Sequence, residues 1–104
     1  MKYRFTSLAE KTLSDVIDFY NAIDEESDTD LASRVYLTVS DALSRLLVFP
    51  FIGYLYNKKR NVFRLNLDFH LGVFYKFNDD ELVVLAIFDL RQDPNLYNHL
   101  IQIQ

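Results

Sequence analysis

Apolar residues follow two different rhythms along this chain, and the rhythm changes near Pro50. From Lys2 to Thr6, Tyr3 and Phe5 alternate with Lys2 and Arg4, a period of two that predicts a short strand. Ser7-Leu8-Ala9-Glu10 then has the form of a capping box, in which Ser7 accepts a first-turn amide and Glu10 reaches back to the Ser7 amide. Leu13, Val16, Ile17, Tyr20 and Ile23 follow at spacings of three and four, one face of a helix. Asp24 to Asp30 breaks the stripe with five carboxylates in seven positions, which repel one another and predict an exposed tip. The second half of that segment suits a helix start, where carboxylates meet free amides. Leu31, Val35, Val39, Ala42, Leu43 and Leu46 form a second stripe, ended at Val48-Phe49-Pro50 because proline pushes the residue before it out of helical backbone. An antiparallel helical hairpin is the economical reading.

After Pro50 the period returns to two. Phe63, Leu65 and Leu67 alternate with Arg64, Asn66 and Asp68, a strand with one wet face and one buried face. Phe69, Leu71, Val73, Tyr75 and Phe77 continue the alternation on a second strand, and Asn78-Asp79-Asp80 is turn chemistry. Leu82 to Phe88 is apolar at every position, as expected of an interior strand covered on both sides. A closing loop follows, to Pro94. The prediction is an α+β domain of order β-α-α-β-β-β: a mainly antiparallel sheet with a helical hairpin packed on one face. Residues 1–104 make a single domain, long enough for one core. Side-by-side packing of the last three strands is expected to bring Arg64 and Arg91 to a common surface.

Composition narrows the chemistry. The absence of cysteine excludes disulfides, a thiol nucleophile and zinc-thiolate ligation. With two glycines, the chain has no Gly-rich phosphate loop and no serine-nucleophile motif. The N-terminal residues carry no apolar run of signal-peptide length, and no apolar run approaches the ~20 residues that span a bilayer, so a soluble, cytoplasmic protein is expected. The net charge of −4 argues against strong direct DNA binding, which rests on phosphate neutralisation.

Arg64 reads either as an anchor for a phosphate or partner carboxylate, or as a solvated strand residue paired with Asp68 or Glu81. Arg91 reads either as a functional cation or as the local partner of Asp93. Lys58-Lys59-Arg60, with Arg64, is the basic cluster of the chain: a solvated turn at a sheet edge, or a dock for an acidic partner. Tyr54 and Tyr56 offer stacking surface. His70 and His99 have no carboxylate or histidine at ligand spacing, so no metal site is expected, although His99 follows closely on Tyr97. The carboxylates at 24–30 lack the glycine and distal glutamate of a calcium loop.

Three segments together resemble the C-terminal half of the RelE/ParE toxins of bacterial type II toxin–antitoxin systems, also called plasmid stabilisation proteins. They are Val62-Phe63-Arg64-Leu65-Asn66-Leu67, Phe69-His70-Leu71-Gly72-Val73-Phe74-Tyr75-Lys76, and Val83 to Phe88 followed by Asp89-Leu90-Arg91-Gln92-Asp93-Pro94. Ala42-Leu43 and Phe49-Pro50 ahead of Gly53 resemble the family's usual run into the sheet, so the likeness covers nearly the whole chain. It implies a growth-inhibiting toxin neutralised by a cognate antitoxin, whose acidic, disordered tail folds into a helix on the toxin, steered by opposite charge. The sequence departs from the pattern twice: many members carry histidine where Asp89 stands and a second arginine where Gln92 stands. RelE-type RNA cleavage resembles general acid–base chemistry at a ribose 2′-hydroxyl, with cations stabilising the phosphate. The missing imidazole therefore favours the ParE-like branch, whose members bind and poison DNA gyrase without catalysis or cofactor. The resemblance leaves two alternatives: a ribosome-dependent mRNA endoribonuclease with Arg64, Arg91 and Tyr97 as catalytic candidates, and an inactive toxin-fold binding protein. Lys58, Lys59, Arg60, Arg64 and Arg91 are the expected target or partner contacts.

Overall fold

Thr6, rather than Ser7, opens the first helix in the computed structural model, which describes residues 1–102. Its backbone is extended and its hydroxyl accepts the Ala9 amide at 3.1 Å, satisfying one of the free N–H groups of the first turn. Strand β1 (Lys2–Phe5) precedes it and helix α1 (Ser7–Ser27) follows, so the expected capping box falls one residue late.

α1 also runs through Asp24, Glu25 and Glu26, where the sequence predicted a break. The reason is Asp24. Its carboxylate accepts the amides of Leu31 at 2.7 Å and Ala32 at 2.9 Å, the first residues of α2 (Leu31–Val48), and the Thr29 hydroxyl at 2.6 Å. A side chain from the end of one helix thus caps the start of the next, and the chain reverses at Asp28, whose φ is 52°. The expected α2 stripe is buried from Val35 to Leu46, with Leu31 partly covered, and Pro50–Ile52 forms a single 3₁₀ turn.

Four more strands follow: β2 (Tyr54–Asn57), β3 (Val62–Asn66), β4 (Leu71–Phe77) and β5 (Glu81–Asp89). β2 is an addition to the three expected. Phe69 and His70 do not begin β4; with φ of 63° and 56° they form the reversal between β3 and β4, a left-handed pair whose twist matches that of the flanking strands. The sheet order is β1-β5-β4-β3-β2, with β1 parallel to β5 and every other neighbour antiparallel. The α+β, mainly antiparallel architecture is as predicted.

β5 lies inside the sheet and carries a bulge. Phe74 opposes Ala86 while Tyr75 opposes Val84, leaving Leu85 as an extra residue. Leu82, Val84 and Ile87 therefore pack toward α1 and α2, whereas Leu85, Ala86 and Phe88 face the other side. Two threonines hold this irregular stretch to α1. The Ile87 amide donates to the Thr12 hydroxyl at 3.0 Å, and the Thr6 hydroxyl donates to the Leu85 carbonyl at 2.9 Å.

The far face is covered by a third helix, α3 (Pro94–Gln102), which corrects the expectation of a simple closing loop. Pro94 stands at its first position, and the Asp93 carboxylate accepts the Asn95 amide at 2.9 Å. Tyr97 and Ile101 of α3 are buried with Phe74, Leu85 and Phe88 in a second small core. Among the described residues, no helix is long and apolar enough to cross a membrane.

Candidate functional site

Arg64 sits on β3 among aromatic rings. Its guanidinium carbon lies 5.5 Å from the centre of Tyr54, 5.6 Å from Tyr56 and 5.8 Å from Phe74. The register explains the cluster: Arg64 pairs with Tyr54 on one side and with Phe74 on the other, so all three project from the same face of the sheet. Nε donates to Asn66 Oδ1 at 2.7 Å. Neither Asp68 nor Glu81 pairs with Arg64; Glu81 instead binds Arg4 across β1 and β5. The result is a half-buried cation, held by π-faces, with no carboxylate neutralising it among the described residues. Tyr54 and Tyr56 do offer an aromatic surface, as expected, and its occupant is the chain's own arginine.

Tyr56 donates its hydroxyl to Asn98 Oδ1 on α3, tying β2 to the C-terminal helix. Burial raises its pKa and the neighbouring Tyr97 adds to this, against the opposing charge of Arg64. At neutral pH this phenol is a hydrogen-bond donor and not a base. At the other end of the β2–β3 hairpin, Lys58, Lys59 and Arg60 form an exposed turn. It is fixed by the Arg60 amide donating to Asn57 Oδ1 at 3.0 Å and by left-handed Asn61 at φ 58°. Four of the five expected contact residues thus belong to one hairpin.

Arg91 is elsewhere. It clamps Asp89 through two bonds, Nε to Oδ1 at 3.0 Å and Nη2 to Oδ2 at 2.7 Å, and its amide adds a third at 2.9 Å. This pairing, not one with Asp93, raises the pKa of Arg91 and lowers that of Asp89 despite partial burial of the carboxylate. Arg91 also interacts with Tyr20 of α1. Asp89 stands opposite Leu71, on the face packed by the helical hairpin, whereas Arg64 stands with Phe74 on the α3 face. The common surface expected for the two guanidinium groups does not form, because they lie on opposite faces of the sheet.

Tyr97 is buried beneath α3. It is 4% exposed, with ring centres 5.6 Å from both Phe74 and Phe88. The sequence pattern contained the signal for this: Asp93-Pro94 is a helix start, and Leu96, Tyr97, Leu100 and Ile101 recur at helical spacing. His70 and His99 are exposed, and no metal-binding cluster occurs among the described residues.

A groove of about 580 Å³, not foreseen from the sequence, lies between α1 and α3 and is floored by the end of β5. Leu8, Val16, Phe19, Leu96 and Leu100 make it mainly apolar, and Lys11 and Asp15 at its rim pair with each other at 3.0 Å.

With these positions established, residues 3–94 match the profile described as "ParE toxin of type II toxin-antitoxin system, parDE". The chain belongs to the ParE toxin family. The match takes in β1 from its second residue, the helical hairpin and the other four strands, and ends at the first residue of α3. No curated protein matched the chain in a sequence comparison. As a ParE-family member the chain is the toxin component of a type II toxin–antitoxin pair, and its partner is a cognate antitoxin.

Proposed function

We propose that this ParE-family toxin works in the cytoplasm by binding and poisoning DNA gyrase, and that it catalyses nothing itself. The observation that carries this reading is the separation of the three groups that RNA cleavage would require. Arg64 is on one face of the sheet, Arg91 is engaged by Asp89 on the other, and Tyr97 is packed beneath α3. In-line cleavage needs a base, an acid and a cation within hydrogen-bond reach of one phosphate. A binding toxin needs only a presented surface. The Arg64 cluster and the Lys58–Arg60 turn, on a single hairpin, are the contacts assigned to it.

Inducing the chain alone in a bacterium tests the proposal. Filamentation with an SOS response, and inhibition of purified gyrase by the purified chain, are the expected results. Prompt arrest of translation with cleaved messages would instead establish the ribosome-dependent nuclease, and normal growth would leave only an inactive binding protein.

A further inference from the structure

Charge is divided unevenly along this chain. Between Asp41 and Asp68 stand Arg45, Lys58, Lys59, Arg60 and Arg64, five of the eleven Lys and Arg, and all fifteen Asp and Glu lie outside that stretch. Four of the five cations belong to the β2–β3 hairpin, and the fifth, Arg45, is paired with Asp41 at 3.9 Å. Lys58 and Lys59 are exposed and form no ion pair among the described residues. Arg64 uses one nitrogen, Nε, on Asn66 Oδ1. Its two terminal nitrogens, the pair that grips a phosphate or carboxylate through parallel bonds, have no hydrogen-bond partner among the described residues.

Spacing decides what this set can hold. Arg64 stands three residues from Asn61 in the turn, roughly 10 Å along a strand that rises ~3.3 Å per residue. The bond to Asn66 draws its side chain farther from the turn, and the ring of Tyr54 holds it there. One phosphate or one carboxylate therefore cannot meet both Arg64 and the two lysines. A row of anions can, and B-DNA offers one, with a charge every ~3.4 Å along each strand. We propose that the β2–β3 hairpin binds the phosphodiester backbone of DNA held by the target enzyme. Arg64 grips one phosphate, and Lys58 and Lys59 meet others farther along. The inference rests on the gyrase reading above and names what the hairpin touches in that complex. A net charge of −4 opposes a tight hold on free DNA. An enzyme that already carries DNA supplies the proximity, so a few phosphate contacts suffice. Such contacts carry no base information, so the toxin follows the enzyme and not a DNA sequence.

A fluorescein-labelled DNA duplex and purified gyrase are the probes. Anisotropy at low salt should show weak binding of the duplex, with log affinity falling against log salt at a slope of about −2.7 for three neutralised phosphates. Arg64→Gln should reduce the magnitude of that slope by about one, and Lys58→Gln/Lys59→Gln by about two. The chain should bind gyrase about ten-fold or more tightly with relaxed plasmid present than without it, and Lys58→Gln/Lys59→Gln should erase that gain. Circular dichroism checks that each variant keeps the fold. Slopes indifferent to the substitutions, or equal affinity for gyrase with and without DNA, would overturn the proposal. So would polyglutamate displacing the duplex at equal concentration of charge, since that marks an acidic protein surface as the partner. Gyrase supercoiling is read separately. A chain that binds the duplex through these cations but leaves supercoiling intact overturns the gyrase reading alone. One that inhibits gyrase equally well with Lys58 and Lys59 replaced overturns the DNA contact alone.

Discussion

The hydroxyl of Tyr75 fills the space in which a side chain at Gly53 would have to lie. It donates to the Pro50 carbonyl at 2.7 Å and accepts the Gly53 amide at 3.1 Å, bracing the turn between α2 and β2. A Cβ at Gly53 would meet that hydroxyl, and would lie 2.8 Å from the Arg64 carbonyl. Gly53→Ala is expected to lose about 1–3 kcal/mol through overpacking and to shift β2 away from Arg64. Tyr75→Phe, which leaves Pro50 and Gly53 without their partner, is expected to lose about 1–3 kcal/mol. Urea denaturation measures both.

Arg64 and Arg91 are expected to differ in their effect on toxicity. Arg64→Ala removes a cation held by three rings and should abolish growth arrest at a stability loss of only about 1 kcal/mol. Arg91→Ala removes the partner of Asp89 and should leave growth arrest largely intact. The comparison is made by induction at matched protein levels. Equal loss from both variants would contradict the assignment of the site to the β2–β3 hairpin.

Tyr97 gives a third test, because its ring and its hydroxyl can be separated. Tyr97→Phe keeps the contacts with Phe74 and Phe88 and should retain growth arrest; a proton-transferring tyrosine would lose it. Tyr97→Ala should lose about 3–5 kcal/mol, because a large cavity opens in the small core beneath α3.

Acid should destabilise the fold through two identified carboxylates. Burial acts to raise the pKa of Asp24, but the Thr29 hydroxyl and the Ala32 and Leu31 amides outweigh it and the net shift is downward. The Arg91 guanidinium lowers that of Asp89 against partial burial, with help from the Arg91 amide. A folded pKa below the unfolded value of about 3.9 means that each contribution is present above that pH and is lost as pH falls through the folded value. Thermal unfolding followed from neutral pH to about pH 2 should therefore show falling stability below about pH 4. Asp24→Asn/Asp89→Asn should start lower at neutral pH and fall less steeply.

Much of the fold was readable because its elements obey local rules. The α2 stripe from Val35 to Leu46 and the unbroken apolar run of β5 each announce their period, and both are buried as expected apart from half-buried Val83. What escaped was decided by contacts distant in sequence. Asp24 belongs to α1 by position and to α2 by its hydrogen bonds, so five crowded carboxylates looked like a break in the helix. β2 is short and nearly featureless in pattern; pairing with β3 and the Tyr75 brace make it a strand. For the site, Lys58, Lys59, Arg60 and Arg64, which sequence singled out, fall on one hairpin, the β2–β3 pair. The position of Arg91 was not legible, because alternation shows which face a strand residue takes and does not extend past Asp89 into the turn.

The parallel pairing of β1 with β5 has a consequence for how the toxin comes into being. The first strand synthesised finds its sheet partner only in the last one, about eighty positions later, because β5 inserts between β1 and β4. A nascent chain whose β5 is still inside the ribosome lacks the strand that joins β1 to β4, and a product truncated before Glu81 has no such strand at all. The toxin fold therefore closes only once Glu81–Asp89 has left the ribosome.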